Sequence, residues 1–339
     1  GHPEWVGIDV AMTEIRVRYP AGPPLTLRTS LDWNLDVPPT TVTREGSERV
    51  FHVDADASEP VYFKPVRRTG ESLDWAVGED YLLAPGEPRT VYPHFDGGTR
   101  GRITDHITLG ERTARVFLPP GYDDNVLKQY PVLFVLDGAN VFFPEEAFSG
   151  TDWALDETLI CLDAMNLVDK VLVVALYSVP ERRSDEYTAP GYVAFGEELV
   201  DVVLPEVRSR FRTLVGAEHT AIMGSSLGGV AALHVALRHA DTVGMAACLS
   251  STFGYRDDLL QRLGTQPVPR VRVYLDAGLP ADNHRPTRVI FDALIARGLR
   301  PGSDVLFLGF PGALHHERAW AQRVHLPIQF FFGRSFRRA

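Results

Sequence analysis

The pattern of apolar and polar positions changes about 97 residues into the chain. Before that point, short runs alternate apolar and polar residues with the period of two that a half-buried strand requires, as in residues 49–53. Pairs such as Pro23-Pro24 and Pro38-Pro39 separate the runs, and no amphipathic helical stretch interrupts them. We therefore predict a small N-terminal β-sandwich of immunoglobulin-like type. Its predicted strands include Ile15–Tyr19, Leu25–Thr29, Arg49–Val53 and Val61–Val66.

Beyond this point the apolar residues form near-continuous runs with helical stretches between them. Continuous hydrophobicity is typical of strands covered on both faces, and residues 199–211 carry an apolar stripe at helical spacing. This alternation predicts an α/β domain, with a mostly parallel sheet, helices on both faces and an active site at the carboxyl ends of the strands. The predicted strands are an antiparallel pair, Ile103–Leu109 and Arg115–Leu118, followed by Val132–Leu136, Val171–Leu176, Thr220–Met223, Gly244–Leu249, Val271–Leu275 and Val305–Phe310.

A domain boundary is predicted near residue 97. Proline and glycine concentrate in residues 84–88 and 96–101, where no regular element can continue. We predict an N-terminal domain of residues 1–97 and a catalytic domain of residues 98–339. The length of 339 residues agrees, since a domain averages about 150 residues.

Composition excludes several classes of partner. A net charge of −10 argues against nucleic acid, because binding phosphates needs an excess of Lys and Arg. The longest apolar runs, such as residues 171–177, fall far short of the about 18 residues that cross a bilayer, so no membrane association is expected. Two cysteines, Cys161 and Cys248, cannot form a disulfide framework and are expected to be small core residues. No signal peptide is visible, so a cytoplasmic location is expected.

The strongest chemical motif follows the predicted strand Thr220–Met223. There the chain reads Gly-x-Ser-x-Gly between a predicted strand and a predicted helix. A serine at so sharp a turn needs small residues two positions before and after it. Gly224 and Gly228 meet this requirement around Ser226 and not around Ser225. Ser226 is therefore the candidate nucleophile.

A serine nucleophile needs a histidine as general base and a carboxylate to orient that histidine. In this fold the acid and then the histidine follow the serine along the chain. His315 and His316 come directly after the last predicted strand, at the carboxyl edge of the sheet. Asp276 and Asp282 follow the strand before it. Spacing alone does not choose within either pair.

Acyl transfer also needs amide donors for the oxyanion that develops on the substrate. The amide after the nucleophile, that of Leu227, is the first expected donor. The second is expected in the turn after Val132–Leu136, at Ala139 or its neighbour Gly138, because glycine permits a close backbone approach.

No metal or cofactor is expected. The triplet His315-His316-Glu317 lacks the His-Glu-x-x-His spacing that places two imidazoles on one helix face. The chain also lacks a phosphate-binding loop and a dinucleotide-binding motif, so a nucleotide cofactor has no support.

Taken together and in this order, several segments resemble the esterase family of the α/β-hydrolases, which includes enterochelin and related siderophore esterases, feruloyl esterases and mycolyltransferases. The similarity extends over roughly residues 102–333. It is carried by residues 130–138 (YPVLFVLDG), 183–187 (RSDEY), 198–205 (ELVDVVLP), 224–229 (GSSLGG) and 315–320 (HHERAW).

The resemblance favours one member of each open pair. The family's catalytic histidine precedes a tryptophan by five residues, which implies His315 through Trp320. Its acid comes a few residues after an Asp-x-Gly strand end, which favours Asp282 and leaves Asp276 as the alternative.

The resemblance also implies that Arg183 and Trp320 contact the substrate. Arg183 matches an arginine in a loop of the active-site wall, where it would suit an anionic or polyhydroxylated acyl group. The alternative for Arg183 is a salt bridge with Glu186 or another nearby acid.

These observations predict a serine esterase that acts on a small-molecule ester. A siderophore-like or macrolactone ester is the favoured substrate. The alternatives are a feruloyl or acetyl ester of a carbohydrate, acyl transfer by the same triad, and a binding protein that retains the fold without activity.

Overall fold

The computed structural model describes residues 12–54, 60–84 and 86–333. The chain divides into two compact units. The first extends to Arg100 and also contains Pro120–Lys128, whereas the second contains Gly101–Pro119 and the chain from Gln129 onward. The division into domains of residues 1–97 and 98–339 stays a prediction, and the return of residues 120–128 to the first unit was not anticipated.

Polar side chains explain why residues 120–128 belong to the first unit. The Asn125 amide donates to the carbonyl oxygens of Arg18, at 2.9 Å, and Pro93, at 2.7 Å. The Asp124 carboxylate accepts hydrogen bonds from the Tyr19 hydroxyl, at 2.9 Å, and the Phe95 amide, at 2.7 Å. No hydrophobic periodicity encodes these bonds, so the sequence pattern gave no sign of them.

Two sheets form the first unit among the described residues. One has the strand order β4-β5-β1-β9, and the other has the order β3-β2-β6-β7 with β8 paired to β6. Ile15 and Phe51 of the first sheet and Leu27 and Phe63 of the second belong to one buried cluster, and alternate residues of β1 and β2 face inward. The strands are β1 (Met12–Arg18), β2 (Leu25–Thr29), β3 (Asp32–Val37), β4 (Thr41–Thr43), β5 (Glu48–Asp54), β6 (Val61–Thr69), β7 (Ser72–Trp75), β8 (Tyr81–Leu83) and β9 (Arg89–Val91).

The second unit contains a mostly parallel sheet. Its strands are β10 (Arg102–Ile103), β11 (Ile107–Leu109), β12 (Arg112–Leu118), β13 (Val132–Leu136), β14 (Leu172–Leu176), β15 (Thr220–Ser225), β16 (Met245–Leu249), β17 (Arg272–Leu279) and β18 (Val305–Pro311). Their order among the described residues is β10-β12-β14-β13-β15-β16-β17-β18, with β11 also paired to β12. All pairs from β14 to β18 are parallel, and those of β12 are antiparallel. The single strand predicted at residues 103–109 is wrong, because the polar residues 104–106 separate β10 from β11.

Helices cover both faces of this sheet. Leu133 and Met223, on one face, share a buried cluster with the helices α1 and α9, and α5 is almost wholly buried against β15 and β16. The predicted helix at residues 199–211 is a π-helical turn, Leu199–Val203, that continues into α4. The helices are α1 (Leu155–Ala164), α2 (Pro180–Glu186), α3 (Gly191–Glu198), α4 (Leu204–Arg210), α5 (Leu227–Arg238), α6 (Leu259–Thr265), α7 (His284–Ala296), α8 (Glu317–Ala321) and α9 (His325–Phe332).

The two cysteines differ in environment. Cys248 is buried in β16, as predicted. The prediction for Cys161 is wrong, because it is exposed on α1, whose buried residues are Leu155, Leu159 and Leu162. No helix within the described ranges is long and apolar enough to cross a bilayer.

A buried arginine links the helices α2 and α3 to strand β12 of the sheet. Arg112, at the start of β12, donates to both Glu186 carboxylate oxygens at 3.0 and 3.1 Å, and to both of Glu198 at 2.9 and 2.6 Å. Its guanidinium lies over the Phe195 ring, 4.9 Å from the ring centroid. A buried charge with this many donors is tolerated because the carboxylates pair with it.

We expect Arg112→Met to lower the free energy of unfolding by about 3–5 kcal/mol, because it leaves two carboxylates beside an apolar side chain. Urea denaturation followed by circular dichroism measures this loss. The matched control is Arg182→Met, because Arg182 is exposed and pairs with the same Glu186 at 3.4 Å. The control should change the free energy of unfolding by less than about 0.5 kcal/mol. Equal losses in the two variants would contradict the assigned role of Arg112.

Candidate active site

Ser226 lies in a strained turn between β15 and α5. Its backbone has φ 56° and ψ −124°, a conformation that costs a non-glycine residue about 1–3 kcal/mol. The end of β16 holds the turn, because the Ser226 amide donates to the Leu249 carbonyl at 2.9 Å and the Thr252 amide donates to the Ser226 carbonyl at 3.3 Å. The strain is therefore supported by the neighbouring strand, at the carboxyl edge of the sheet.

The glycines of the motif let α5 start close to β15. A Cβ atom at Gly224 would lie 2.4 Å from the carbonyl carbon of Gly228, well inside van der Waals contact. Any larger residue would push the helix away from the strand. The spacing of Gly224 and Gly228 around Ser226 thus has a direct steric cause.

Three side chains from separate loops meet at this edge. The His315 Nε2 atom lies 3.0 Å from the Ser226 Oγ atom, and the His315 Nδ1 atom lies 2.8 Å from the Asp282 Oδ1 atom. Asp282 follows β17, and His315 follows β18. An ionised carboxylate only accepts hydrogen bonds, so Nδ1 carries the imidazole proton and Nε2 is left to accept from the serine hydroxyl.

The surroundings of Asp282 favour its ionised form. Burial alone would raise the pKa of Asp282, but hydrogen bonds from His315, from Ser250 and from the Gly278 amide outweigh burial. The pKa of this carboxyl therefore lies well below its usual value, and the group is ionised at neutral pH.

Asp276 has different partners. It lies within β17, fully buried, and its Oδ2 atom accepts hydrogen bonds from Arg323 Nε at 2.9 Å and from the Tyr274 hydroxyl at 3.0 Å. Burial raises the pKa of Asp276, whereas the Arg323 guanidinium favours its ionised form. The structure thus brings Asp282, and not Asp276, to His315.

Trp320 supports the imidazole from within the core. Its ring meets the His315 ring edge-on, with centroids 5.2 Å apart, and meets Trp153 on another side at 6.0 Å. Trp320 is only 4% exposed, so it offers little surface to a substrate. His316, the alternative histidine, occupies the N-cap position of α8, and its side chain makes no capping hydrogen bond there.

The predicted oxyanion donors lie directly after two neighbouring strands, β13 and β15. β13 and β15 pair in parallel, so the turn Gly138–Asn140 after β13 and the Ser226 turn after β15 share one edge. Leu227 is the first residue of α5, so its amide has no acceptor within the helix and lies at the positive end of the helix dipole. Gly138 fits tightly against β14, since a Cβ atom there would lie 2.5 Å from the Ala175 carbonyl carbon.

Arg183 forms a bidentate ion pair with the residue that precedes this turn. Its Nε and Nη2 atoms donate to the two carboxylate oxygens of Asp137 at 2.6 and 2.7 Å. Asp137 is buried and has a positive φ of 57°. The salt bridge that the sequence analysis gave as the alternative for Arg183 is thus formed with another acid, Asp137, whereas Glu186 pairs with Arg112. Arg183 connects α2 to the turn that carries Ala139.

Three exposed apolar side chains lie on loops at this edge and are called the apolar rim: Phe148, Tyr255 and Leu314, which are 95%, 53% and 52% exposed. The Phe148 amide donates to the Asn140 side chain at 2.9 Å, and Leu314 directly precedes His315. The Tyr255 amide donates to the carbonyl of Thr252, whose own amide contacts Ser226. The apolar rim therefore consists of exposed apolar side chains from the loops that follow β13, β16 and β18.

Two residues of the site, Ser250 and Arg323, were missed by the sequence reasoning. The Ser250 hydroxyl contacts the Asp282 Oδ2 atom, and Arg323 Nη2 donates to that hydroxyl at 2.6 Å. Neither residue belongs to a motif that identifies it. A lone serine after a strand and a lone arginine between two helices carry no signal of their own.

Several solved esterase structures share the mixed α/β fold of this chain. A ferulic acid esterase matches with a TM-score of 0.58 and 18% identity over 70% of this chain and 99% of that one. The enterobactin esterase of Shigella flexneri matches with a TM-score of 0.54 and 13% identity, over 94% of this chain and 92% of that one. The ferulic acid esterase of Anaeromyces mucronatus matches with a TM-score of 0.53 and 20% identity, over 68% and 89%. At these identities the likeness shows a shared fold.

The family comparison covers the candidate site. Residues 106–323, well over half of the chain, match the model of the esterase family, described as "Putative esterase". The matched range contains the serine motif, both aspartates and the histidine that follows β18. The chain therefore belongs to this esterase family and is a carboxylic ester hydrolase.

Proposed function

We propose that this protein is a serine esterase of the α/β-hydrolase type, in which Ser226, His315 and Asp282 form the catalytic triad of a domain that spans residues 98–339 and follows a β-sandwich of residues 1–97. The observation that carries this proposal is the continuous hydrogen bonding from Ser226 through His315 to Asp282, at 3.0 and 2.8 Å. Membership in the esterase family supports the same chemistry.

The geometry suits general-base catalysis. The lone pair of His315 Nε2 faces the Ser226 hydroxyl and accepts its proton as Oγ attacks the ester carbonyl. The imidazolium that forms is stabilised by ionised Asp282, to which Nδ1 already donates. The amides of Leu227 and Ala139 donate to the oxyanion of the tetrahedral intermediate.

The second half of the reaction reuses the same groups. The imidazolium returns its proton to the departing alkoxide, so the alcohol leaves and the acyl group stays on Ser226 as an ester. Water then attacks this acyl-enzyme while His315 accepts its proton. The C–O bond to Ser226 then breaks and the imidazolium returns the proton to Oγ, which releases the carboxylic acid and restores both the serine hydroxyl and neutral His315.

We favour a siderophore-like or macrolactone ester as substrate. The similarity to the enterobactin esterase extends over 94% of this chain and so includes both compact units, whereas the ferulic acid esterases match about 70% or less. The apolar rim of Phe148, Tyr255 and Leu314 suits an ester whose acyl part carries an aromatic ring. Arg183 stays a predicted substrate contact, because its side chain is 31% exposed.

A feruloyl ester of a carbohydrate is the second candidate. The observation that favours it is the similarity of one ferulic acid esterase, of which 99% is matched with a TM-score of 0.58. An aromatic acyl group would occupy the apolar rim in this case too. The two candidates differ in the alcohol part of the ester and in how the aromatic ring is attached to the acyl part, which is through an amide in a lactone of an aroyl-serine.

Ser226→Ala should lower kcat on a p-nitrophenyl ester by at least about 10³-fold, because the nucleophile is lost. Ser225→Ala is the matched control, since Ser225 is the buried neighbouring serine at the end of β15. We expect the control to keep kcat within about threefold of the wild type. Turnover by Ser226→Ala at the wild-type rate would refute the proposed nucleophile.

Asp282→Asn should reduce kcat by about 10³- to 10⁴-fold, because an amide oxygen does not stabilise the imidazolium and its NH₂ group can reverse the tautomer of His315. Asp276→Asn should reduce kcat by less than about 10²-fold, because Asp276 contacts Arg323 and not the imidazole. Steady-state kinetics on both variants measures the difference. A larger loss of kcat in Asp276→Asn than in Asp282→Asn would show that Asp276, and not Asp282, is the acid of the triad.

For the substrate, we expect kcat/KM on a cyclic trilactone of an aromatic acyl-serine to exceed that on a feruloyl sugar ester by at least about tenfold. The physical basis is that the two esters differ on both sides of the scissile bond. The trilactone presents an N-aroylseryl acyl group and a serine alcohol, whereas the feruloyl ester presents a cinnamoyl group and a sugar alcohol. Chromatography of the products, with and without an added alcohol, distinguishes the two reactions, because hydrolysis releases a carboxylic acid and acyl transfer forms a new ester with the alcohol. The reverse preference would favour the second candidate, and acyl transfer to the alcohol as the main reaction would reject hydrolysis.

A further inference from the structure

A buried polar network lies behind the carboxylate of Asp282, and we call Asp276, Arg323 and Ser250 together the Arg323 network. Asp276 accepts from Arg323 Nε at 2.9 Å, and Arg323 Nη2 donates to the Ser250 hydroxyl at 2.6 Å. The Ser250 hydroxyl in turn contacts the Asp282 Oδ2 atom. All three residues of the network are buried, so water does not compete for these bonds.

The direction of each hydrogen bond in the network is fixed by the chemistry of the groups. A guanidinium can only donate, so the Ser250 oxygen accepts from Arg323. The single hydroxyl hydrogen of Ser250 is therefore left for the Asp282 carboxylate, which can only accept. If this hydroxyl rotated away, Asp282 would lose the hydrogen bond that Ser250 donates to it.

Asp282 is thereby held by donors at both oxygens. Its Oδ1 atom accepts from His315 at 2.8 Å, and its Oδ2 atom accepts from Ser250 and from the Gly278 amide at 2.8 Å. Three donors in different directions define both the position and the plane of the carboxylate. The imidazole that bonds to it inherits that orientation.

The backbone of Ser250 is also held in place. Ser250 has a positive φ of 44°, which is unusual for a residue other than glycine. Its amide donates to the Asp276 carbonyl at 2.8 Å, and its carbonyl accepts from the Asn283 side chain at 2.9 Å. The strained conformation places the hydroxyl between Arg323 and Asp282.

The two aspartates differ in how they meet the positive charge of the Arg323 network. Arg323 pairs directly with Asp276, so the guanidinium charge is neutralised at that end. Asp282 receives only the neutral hydroxyl of Ser250 from the network, and its negative charge remains available to the imidazolium that forms on His315. A guanidinium in direct contact with Asp282 would weaken that stabilisation.

We propose that Ser250 and Arg323 are positioning residues, which hold the Asp282 carboxylate in the orientation that keeps His315 Nε2 on the Ser226 hydroxyl, while Asp276 holds and neutralises Arg323. This inference rests on the proposed triad. Neither residue touches the reacting atoms, and both act through Asp282.

The test compares two adjacent serines. Ser250→Ala should lower kcat by about 10- to 100-fold with KM within about twofold, because the triad is less well oriented but the substrate cleft is intact. The acid limb of the kcat/KM profile should also move to higher pH by several tenths of a unit or more. The reason is that a carboxylate that lacks the Ser250 donor stabilises the protonated imidazole more strongly.

Ser251→Ala is the matched control. Ser251 is also fully buried, and its hydroxyl has no hydrogen-bond partner among the described residues. Its kcat and pH profile should equal those of the wild type. Ser250→Gly provides a second variant without the hydroxyl, because glycine adopts the positive φ at this position readily, and it should reproduce the kinetics of Ser250→Ala.

A double-mutant cycle tests whether Ser250 and Arg323 act as one unit. Arg323→Lys keeps the charge beside Asp276 but lacks the planar fork that reaches both partners, so kcat should fall by a factor similar to that of Ser250→Ala. The double variant should lose little more than either single variant, because Arg323 acts on Asp282 only through the Ser250 hydroxyl, which Ser250→Ala already removes.

The outcomes separate this inference from the function on which it rests. If Ser226→Ala is inactive but Ser250→Ala and Ser250→Gly both match Ser251→Ala in kcat and pH profile, the positioning role is wrong and the triad stands. Multiplicative losses in the double variant would also reject it. If Ser226→Ala retains full turnover, the proposed triad itself fails.

Discussion

The parallel pairing of β13, β15, β16, β17 and β18 is the constraint on which the site depends. Ser226 and His315 are 89 positions apart in the sequence, yet their side chains meet because the strands that precede them run in the same direction. Each loop at the carboxyl edge then supplies one group: an amide turn, a nucleophile, a network residue, an acid or a base. A shift of register between two strands would separate these groups by several ångströms.

Arginine–carboxylate pairs then fix the elements around this edge. Arg112 connects α2 and α3 to β12, Arg183 connects α2 to the turn after β13, and Arg323 connects the segment between α8 and α9 to β17. Each pair joins positions far apart in the sequence through directional hydrogen bonds. Apolar packing alone would allow these elements to rotate relative to each other, whereas the planar guanidinium fork restricts their relative orientation.

Much of the fold was predictable because its signals are local. The strands Leu25–Thr29 and Val132–Leu136 have the predicted bounds, since a strand is defined by residues adjacent in the sequence. Ser226 was identifiable for the same reason, because the two glycines that permit its turn lie two positions away. The continuous apolar runs likewise predicted a sheet with both faces covered.

The remainder depends on contacts between distant positions. Asp276 and Asp282 look alike in sequence, but Asp276 lies within β17 and contacts Arg323, whereas the path of the chain after β17 brings Asp282 to His315. The partner of Arg183 could not be chosen, because Glu186 is nearer in sequence but is bound by Arg112. The environment of Cys161 was mispredicted because an apolar neighbourhood in sequence does not specify which side of a helix a residue occupies.

The return of Pro120–Lys128 to the first unit has a consequence for how this protein can be divided. The backbone passes between the two units three times, after Arg100, after Pro119 and after Lys128, so a single cut in the chain cannot separate them. A fragment that started at residue 98 would carry Asp124 and Asn125 without the groups of Arg18, Tyr19 and Pro93 that satisfy them. Isolation of the catalytic unit therefore requires replacement of this excursion by a short linker, and an exchange of the first unit between relatives must transfer both of its segments together.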